Sequence, residues 1–242
     1  INLLDVSNKQ LTTISQSLLG EARNVSFSPD NNWLTYSRVS DNNFSIVYVY
    51  DIAGKKEYPV TDKWYESYSP VFSTDGKYLV FTSARDFNPT YSQTEWNHVY
   101  NNMGGVYLAL LSKDTASPFM ETDAEVAIES TPAKADASKK DEASTPVVKI
   151  DIEGITDRIV KLPLPGSNYY DLYSDGTNVY YFTKGGMKMF DLKKQKEETV
   201  SDAAMMVDPA GKKAVFFKDD QLFVTDIPKG KADLSKPVNL AN

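Results

Sequence analysis

A short pattern that returns along the chain constrains the fold more than any other feature. Ser28-Pro29-Asp30-Asn31-Asn32-Trp33-Leu34-Thr35-Tyr36-Ser37 comes back 45 residues later as Ser73-Thr74-Asp75-Gly76-Lys77-Tyr78-Leu79-Val80-Phe81-Thr82-Ser83. Looser copies are Ser174-Asp175-Gly176-Thr177-Asn178-Val179-Tyr180-Tyr181-Phe182 and Asp208-Pro209-Ala210-Gly211-Lys212-Lys213-Ala214-Val215-Phe216-Phe217. Asp-Gly and Asp-Asn tolerate a left-handed backbone, and the aromatic and β-branched residues beside them suit a pleated, half-buried surface, so each copy predicts a hairpin closed by a two-residue turn. A further strand follows each copy, at 45–52, 105–111, 186–192 and 221–227, and a lone counterpart stands at 1–6 ahead of a short run at 10–14.

Two hairpins per unit make a four-stranded antiparallel sheet of about 40 to 45 residues, the size of one propeller blade. The sequence therefore predicts an all-β fold, a β-propeller fragment of about four and a half four-stranded antiparallel blades. The predicted boundaries are a half blade at 1–20, blades at 21–63 and 64–120, a disordered insertion between blades at 121–147, and blades at 148–200 and 201–242. A half blade at the start implies a chain that begins in mid-blade, with the rest of the ring upstream, because an open sheet edge invites pairing. The insertion holds Ala, Glu, Asp, Lys, Ser, Thr and Pro without an aromatic residue, too little apolar surface to offset the entropy of ordering. Residues 93–103, with Trp96 and Tyr100, form the single helix candidate.

The charge balance and the missing residue types exclude several classes of chemistry. A formal charge of −7 with no basic, aromatic-interleaved stretch argues against a nucleic-acid partner. No apolar run reaches the roughly 18 residues of a membrane-spanning helix. There is no cysteine and one histidine, His98, so thiolate chemistry is absent and a Ser-His pair has a single possible base. No Gly-x-Ser-x-Gly elbow and no phosphate-binding glycine loop occurs. Asp30, Asp75, Asp175 and Asp208, and the strand-end Asp5, Asp51, Asp191 and Asp226, follow the repeat, which marks them as turn formers accepting backbone N–H bonds rather than metal ligands. No cofactor, metal or catalytic residue is expected. The aromatic residues, 12% of the chain, are assigned to packing between blades.

Two stretches are more specific than the repeat. Thr82-Ser83-Ala84-Arg85-Asp86-Phe87-Asn88-Pro89-Thr90-Tyr91-Ser92, running into Trp96-Asn97-His98-Val99-Tyr100 and on to Ser112-Lys113-Asp114-Thr115-Ala116-Ser117-Pro118-Phe119, is similar to a segment of bacterial tricorn protease homologues. So is Val148-Lys149-Ile150-Asp151-Ile152-Glu153-Gly154-Ile155-Thr156-Asp157-Arg158-Ile159-Val160, followed by Leu162-Pro163-Leu164-Pro165. In that family a six-bladed and a seven-bladed propeller precede a helical, a PDZ-like and a serine peptidase domain, and this chain resembles the closing blades of the second propeller. The resemblance implies a non-catalytic segment that gates or guides peptide substrates to an active site in other domains. It also implies partners in the remaining blades and peptidase domains, and a homo-oligomeric full-length protein. Arg85, Trp96, His98 and Arg158 are the residues singled out for guiding a peptide, the two arginines through a peptide carboxylate. The family spans cytoplasmic archaeal and exported bacterial members, so either compartment is open. The alternatives are a free-standing interaction propeller of the periplasmic Tol-system type and a propeller cap on a prolyl-oligopeptidase-like hydrolase.

Overall fold

Strands whose two alternating faces are both apolar must be covered on both sides, and this requirement sets the architecture. The computed structural model describes residues 1–16, 19–87, 89–92, 98–119, 146–208 and 211–239. The chain opens with β1 (Asn2–Leu4) paired to β2 (Leu11–Thr13). The first full sheet is a meander of β3 (Arg23–Phe27), β4 (Trp33–Val39), β5 (Ser45–Asp51) and β6 (Lys56–Pro59). The second holds β7 (Ser67–Phe72) and β8 (Tyr78–Ser83), then an accessory hairpin of β9 (Pro89–Tyr91) and β10 (His98–Tyr100), then β11 (Gly105–Leu110) and β12 (Ile159–Lys161). The third comprises β13 (Tyr170–Ser174), β14 (Asn178–Thr183), β15 (Gly186–Asp191) and β16 (Lys196–Ser201). β17 (Met205–Val207), β18 (Lys213–Lys218) and β19 (Gln221–Asp226) form the last, and Val238 N–H donates to Leu222 O at 2.7 Å along the free edge of β19. All pairings are antiparallel, as expected of a β-propeller fragment.

The cores lie between successive sheets. Leu79 and Phe81 of β8 face back to Val47 and Val49, whereas Tyr78 and Val80 face forward to Val179, Tyr181 and Phe190. Tyr180 points the other way again, into a core with Met187, Phe216 and Phe223. Ile46, Tyr48 and Tyr50 of β5 close on Ile1, Leu3 and Ile14 of the opening pair. Each fully buried side chain of this size is worth about 1.5–3 kcal/mol relative to exposure, and because each of the three four-stranded sheets contributes to two cores, stability runs along the series by nearest neighbours.

The aspartates of the repeat do form turns. Ser28 Oγ donates to Asp30 at 2.6 Å and accepts from Trp33 N–H at 3.0 Å, and Ser73 makes the same pair of bonds with Asp75 and Tyr78. Asp175 takes Asn178 N–H at 2.6 Å, Asp208 takes Lys213 N–H at 2.6 Å, and Asp51 and Asp191 cap their own turns in the same way. The turns are not the two-residue kind that the sequence predicts. Five residues separate β3 from β4 and β7 from β8, with one left-handed residue, Asn31 (φ 58°) or Gly76 (φ 71°), because the serine side chain substitutes for a ladder bond and lengthens the loop. The tight turn with two left-handed residues is Asp219-Asp220 (φ 50° and 58°) between β18 and β19.

Two further expectations change. The sequence places residues 148–161 at the start of a new blade, but Ile159–Lys161 pairs with β11 and completes the second sheet, with Val148 and Ile155 buried in its inner core. β11 has a free edge that needs a partner, and this is the strand that reaches it. The expected insertion therefore joins the third and fourth strands of one blade instead of two blades; its residues 121–145 lie outside the described residues. Within the helix candidate, His98–Tyr100 is a strand in register with Pro89–Tyr91, since a short β-branched and aromatic run finds a partner there; residues 93–97 lie outside the described residues.

Candidate functional site

The first strands of three successive sheets, β3, β7 and β13, come together at the inner edge of the series. Each carries a β-bulge at the same place. The register of β3 on β4 slips between Arg23 and Ser26, that of β7 on β8 between Tyr68 and Val71, and that of β13 on β14 between Tyr170 and Tyr173. The bulge residues Asn24, Ser69 and Asp171 have φ of 54°, 55° and 50°. Short polar side chains reach this left-handed region because they can hydrogen-bond locally, whereas the bulk of a branched Cβ disfavours it. β17 pairs with β18 without a slip, and Ala204 stands at the matching place. A bulge leaves its extra residue outside the ladder and turns the strand.

The three bulges line one cleft of about 480 Å³. Val25 and Tyr170 are half exposed on its walls, Pro70 is buried, and Asp171 is exposed. Tyr68, where the slip of β7 begins, has its phenol held above the ordinary tyrosine range first by burial and then by the nearby Glu66 carboxylate. The sequence reading missed this site. The available signal was a short polar residue three places before the end of each first strand, in Arg23-Asn24-Val25-Ser26-Phe27, Tyr68-Ser69-Pro70-Val71-Phe72 and Tyr170-Asp171-Leu172-Tyr173-Ser174.

Of the four residues singled out from the sequence, Arg85 and Arg158 do not line this cleft. Arg85 follows β8; its Nε donates to Ser83 Oγ at 3.0 Å and its guanidinium lies 5.2 Å from the Tyr107 ring and 5.4 Å from the Tyr65 ring. Burial, then Asp86, pushes the Tyr107 phenol up to about 12 despite the adjacent cation. Arg158 is a clasp. It donates to Leu110 O at 3.1 Å, Glu153 O at 2.9 Å, Leu111 O at 3.5 Å and, more closely, Asp151 O, tying the 3₁₀ turn Ile155–Arg158 to the end of β11. Ser83 pairs with Gly105 at the start of β11, so the two arginines sit at opposite ends of that strand, roughly 17 Å apart at the usual strand rise. His98 contributes its backbone to β10, and Trp96 lies outside the described residues. Arg158→Met is expected to cost about 2 kcal/mol in urea unfolding, since several charge-assisted bonds to carbonyls vanish together, while leaving peptide affinity per folded molecule unchanged. A loss of peptide affinity at unchanged stability would return Arg158 to a ligand-binding role.

The repeat aspartates are engaged by the protein itself. Burial opposes ionisation of Asp30, but Ser28, the Val148 N–H and Asn32 outweigh it and hold the carboxyl below its usual value. Among the described residues no three His, Cys, Asp or Glu side chains cluster as a metal site.

Comparison with known proteins gives a consistent picture. The family model for the tricorn protease second beta propeller domain matches residues 1–228. Tricorn protease homolog 1 of Streptomyces coelicolor is 30% identical over 167 residues, 69% of this chain and 15% of that protein. The putative tricorn-like protease C-terminal subunit of Sulfurisphaera tokodaii is 27% identical over 234 residues, 90% of this chain and 25% of that protein. The chain thus spans a quarter or less of the length of these relatives. The crystal structure of the tricorn protease superposes over 93% of this chain and 23% of its own with a TM-score of 0.72 at 15% identity, a likeness of fold.

Proposed function

The chain belongs to the family of the tricorn protease second β-propeller domain, and from that premise we propose that it is a non-catalytic propeller segment of a tricorn-like serine peptidase, gating or guiding peptides to an active site in other domains. The observation that carries this reading is the cleft between the three bulged strands. Its volume falls among small-ligand pockets of about 300–1,000 Å³, enough for a short run of extended chain and too little for a folded domain. Partly exposed Val25 and Tyr170 offer weak, sequence-tolerant contacts to such a chain. Arg85 remains a candidate guide near the mouth of the second sheet.

Both ends of the blade series present apolar side chains that further blades would bury: Leu4 and Leu11 at the first, Met206, Phe217 and Val224 at the last. This supports a parent protein in which more blades complete the ring; peptidase domains and a homo-oligomer are added to the proposal by family membership alone. No helix among the described residues is long and apolar enough to cross a membrane.

The test is to narrow the cleft. In the parent protein, Val25→Trp is expected to slow hydrolysis of a long unfolded polypeptide several-fold while sparing a short fluorogenic peptide that can reach the active site by any opening. Equal rates on the long substrate before and after the substitution would refute the guiding role, and so would equal losses on both substrates.

A further inference from the structure

The cleft is charged on one side only. Of its lining side chains Asp171 alone carries a formal charge, and no cation stands among them. The carboxylate is exposed and makes no hydrogen bond or ion pair among the described residues, whereas the aspartates of the repeat turns each accept backbone N–H bonds. The backbone does not explain the charge either. Asn24 and Ser69 hold the same left-handed bulge in the neighbouring blades, so a neutral short side chain satisfies the geometry and the negative charge at 171 is surplus to it. Directly before it, Tyr170 is 52% exposed and presents a ring on the same wall.

We propose that this cleft binds a cationic group of an extended peptide, with the Asp171 carboxylate as counter-ion and the Tyr170 ring as a second, cation–π contact. The inference rests on the peptide-guiding reading and narrows it to a substrate class: chains carrying lysine, arginine or a free terminal ammonium. An exposed ion pair and an exposed cation–π contact are each weak, so the preference amounts to about three- to tenfold at low salt. It fades at high salt, because both groups are open to solvent and screened within a Debye length.

Fluorescence anisotropy on the full chain with matched extended peptides tests this. The set comprises a lysine-bearing, a neutral and a glutamate-bearing peptide, each with a free and an acetylated N-terminus, so that side-chain and terminal cations are told apart. The lysine peptide is expected to bind about three- to tenfold tighter than the glutamate peptide, and the gap to close in high salt. Asp171→Asn, which retains a residue suited to the left-handed backbone, is expected to abolish most of the gap. Asp220→Asn removes the same charge from an exposed turn and is expected to leave the gap intact. Peptides that bind alike whatever their charge, or a gap that both variants reduce equally, would overturn the cationic preference and leave guiding standing. Folded chain that binds none of the peptides would overturn the guiding reading together with it.

Discussion

Raising the pH from about 10 to about 12 is expected to unfold the chain in one cooperative step. Tyr36, Tyr107, Tyr169, Tyr180 and Tyr181 are all buried, and burial is the leading reason that each phenol ionises above its ordinary value of 10.0. For Tyr107 and Tyr169 the value is pushed up to about 12; Tyr36, Tyr180 and Tyr181 go further. Carboxylates reinforce burial in two homologous places, where Tyr36 donates to Glu57 and Tyr181 donates to Glu197 at 2.5 Å. A phenol whose folded value is raised adds stability that is complete below the unfolded value and is lost as pH climbs toward the folded one. Each such proton contributes a slope of about 1.4 kcal/mol per pH unit, so the five together approach roughly 7 kcal/mol per unit. A net stability of about 5–15 kcal/mol is exhausted within one to two units above pH 10. Tyrosinate absorbance and sheet circular dichroism should therefore change together. Gradual tyrosinate formation with the sheet signal intact at about pH 12 would show that these rings ionise without unfolding.

The second large effect separates two adjacent glycines. Gly186 has φ +99°, and a Cβ there would lie 2.5 Å from Ser201 O and 3.1 Å from Asp202 Cα. Both obstacles are backbone, of the last residue of β16 and the one after it, and cannot swing aside. Gly186→Ala is expected to cost about 3 kcal/mol or more, combining left-handed strain of about 1–2 kcal/mol with the displacement of β16. At Gly185 the nearest atoms to an added Cβ are Thr183 Oγ1 at 3.7 Å and Lys188 Cε at 3.9 Å, ordinary contact distances. Gly185→Ala is expected to change stability by less than about 1 kcal/mol. Urea titration of the pair checks the contrast, and similar midpoints for the two variants would mean that the β15–β16 register yields more easily than its geometry implies.

Local chemistry was legible in the sequence. The runs that became β5, β8, β11 and β14 are largely apolar on both phases, and the aspartates of the repeat accept the turn N–H bonds that their residue type suggests. What escaped depends on pairing. Ile159–Lys161 looks like the opening of a unit until β11 claims it, because composition does not say which free edge a strand will meet. The bulges at Asn24, Ser69 and Asp171 are invisible to alternation, which assumes an unbroken register. Arg158 carries the residue type of a carboxylate binder, and only the converging carbonyls of Leu110, Leu111, Asp151 and Glu153 reveal its structural use.

The return of β12 to β11 after a long excursion makes the second blade a natural splice site. The entropic cost of closing a connection grows only with the logarithm of its length, about 0.6 kcal/mol for each doubling. Between the end of β11 and the buried Val148, the connection can therefore be lengthened or made to carry an appended module, at an expense far smaller than the value of the packed layers on either side. Evolution gains a place to experiment, and protein engineers gain a point for grafting a reporter.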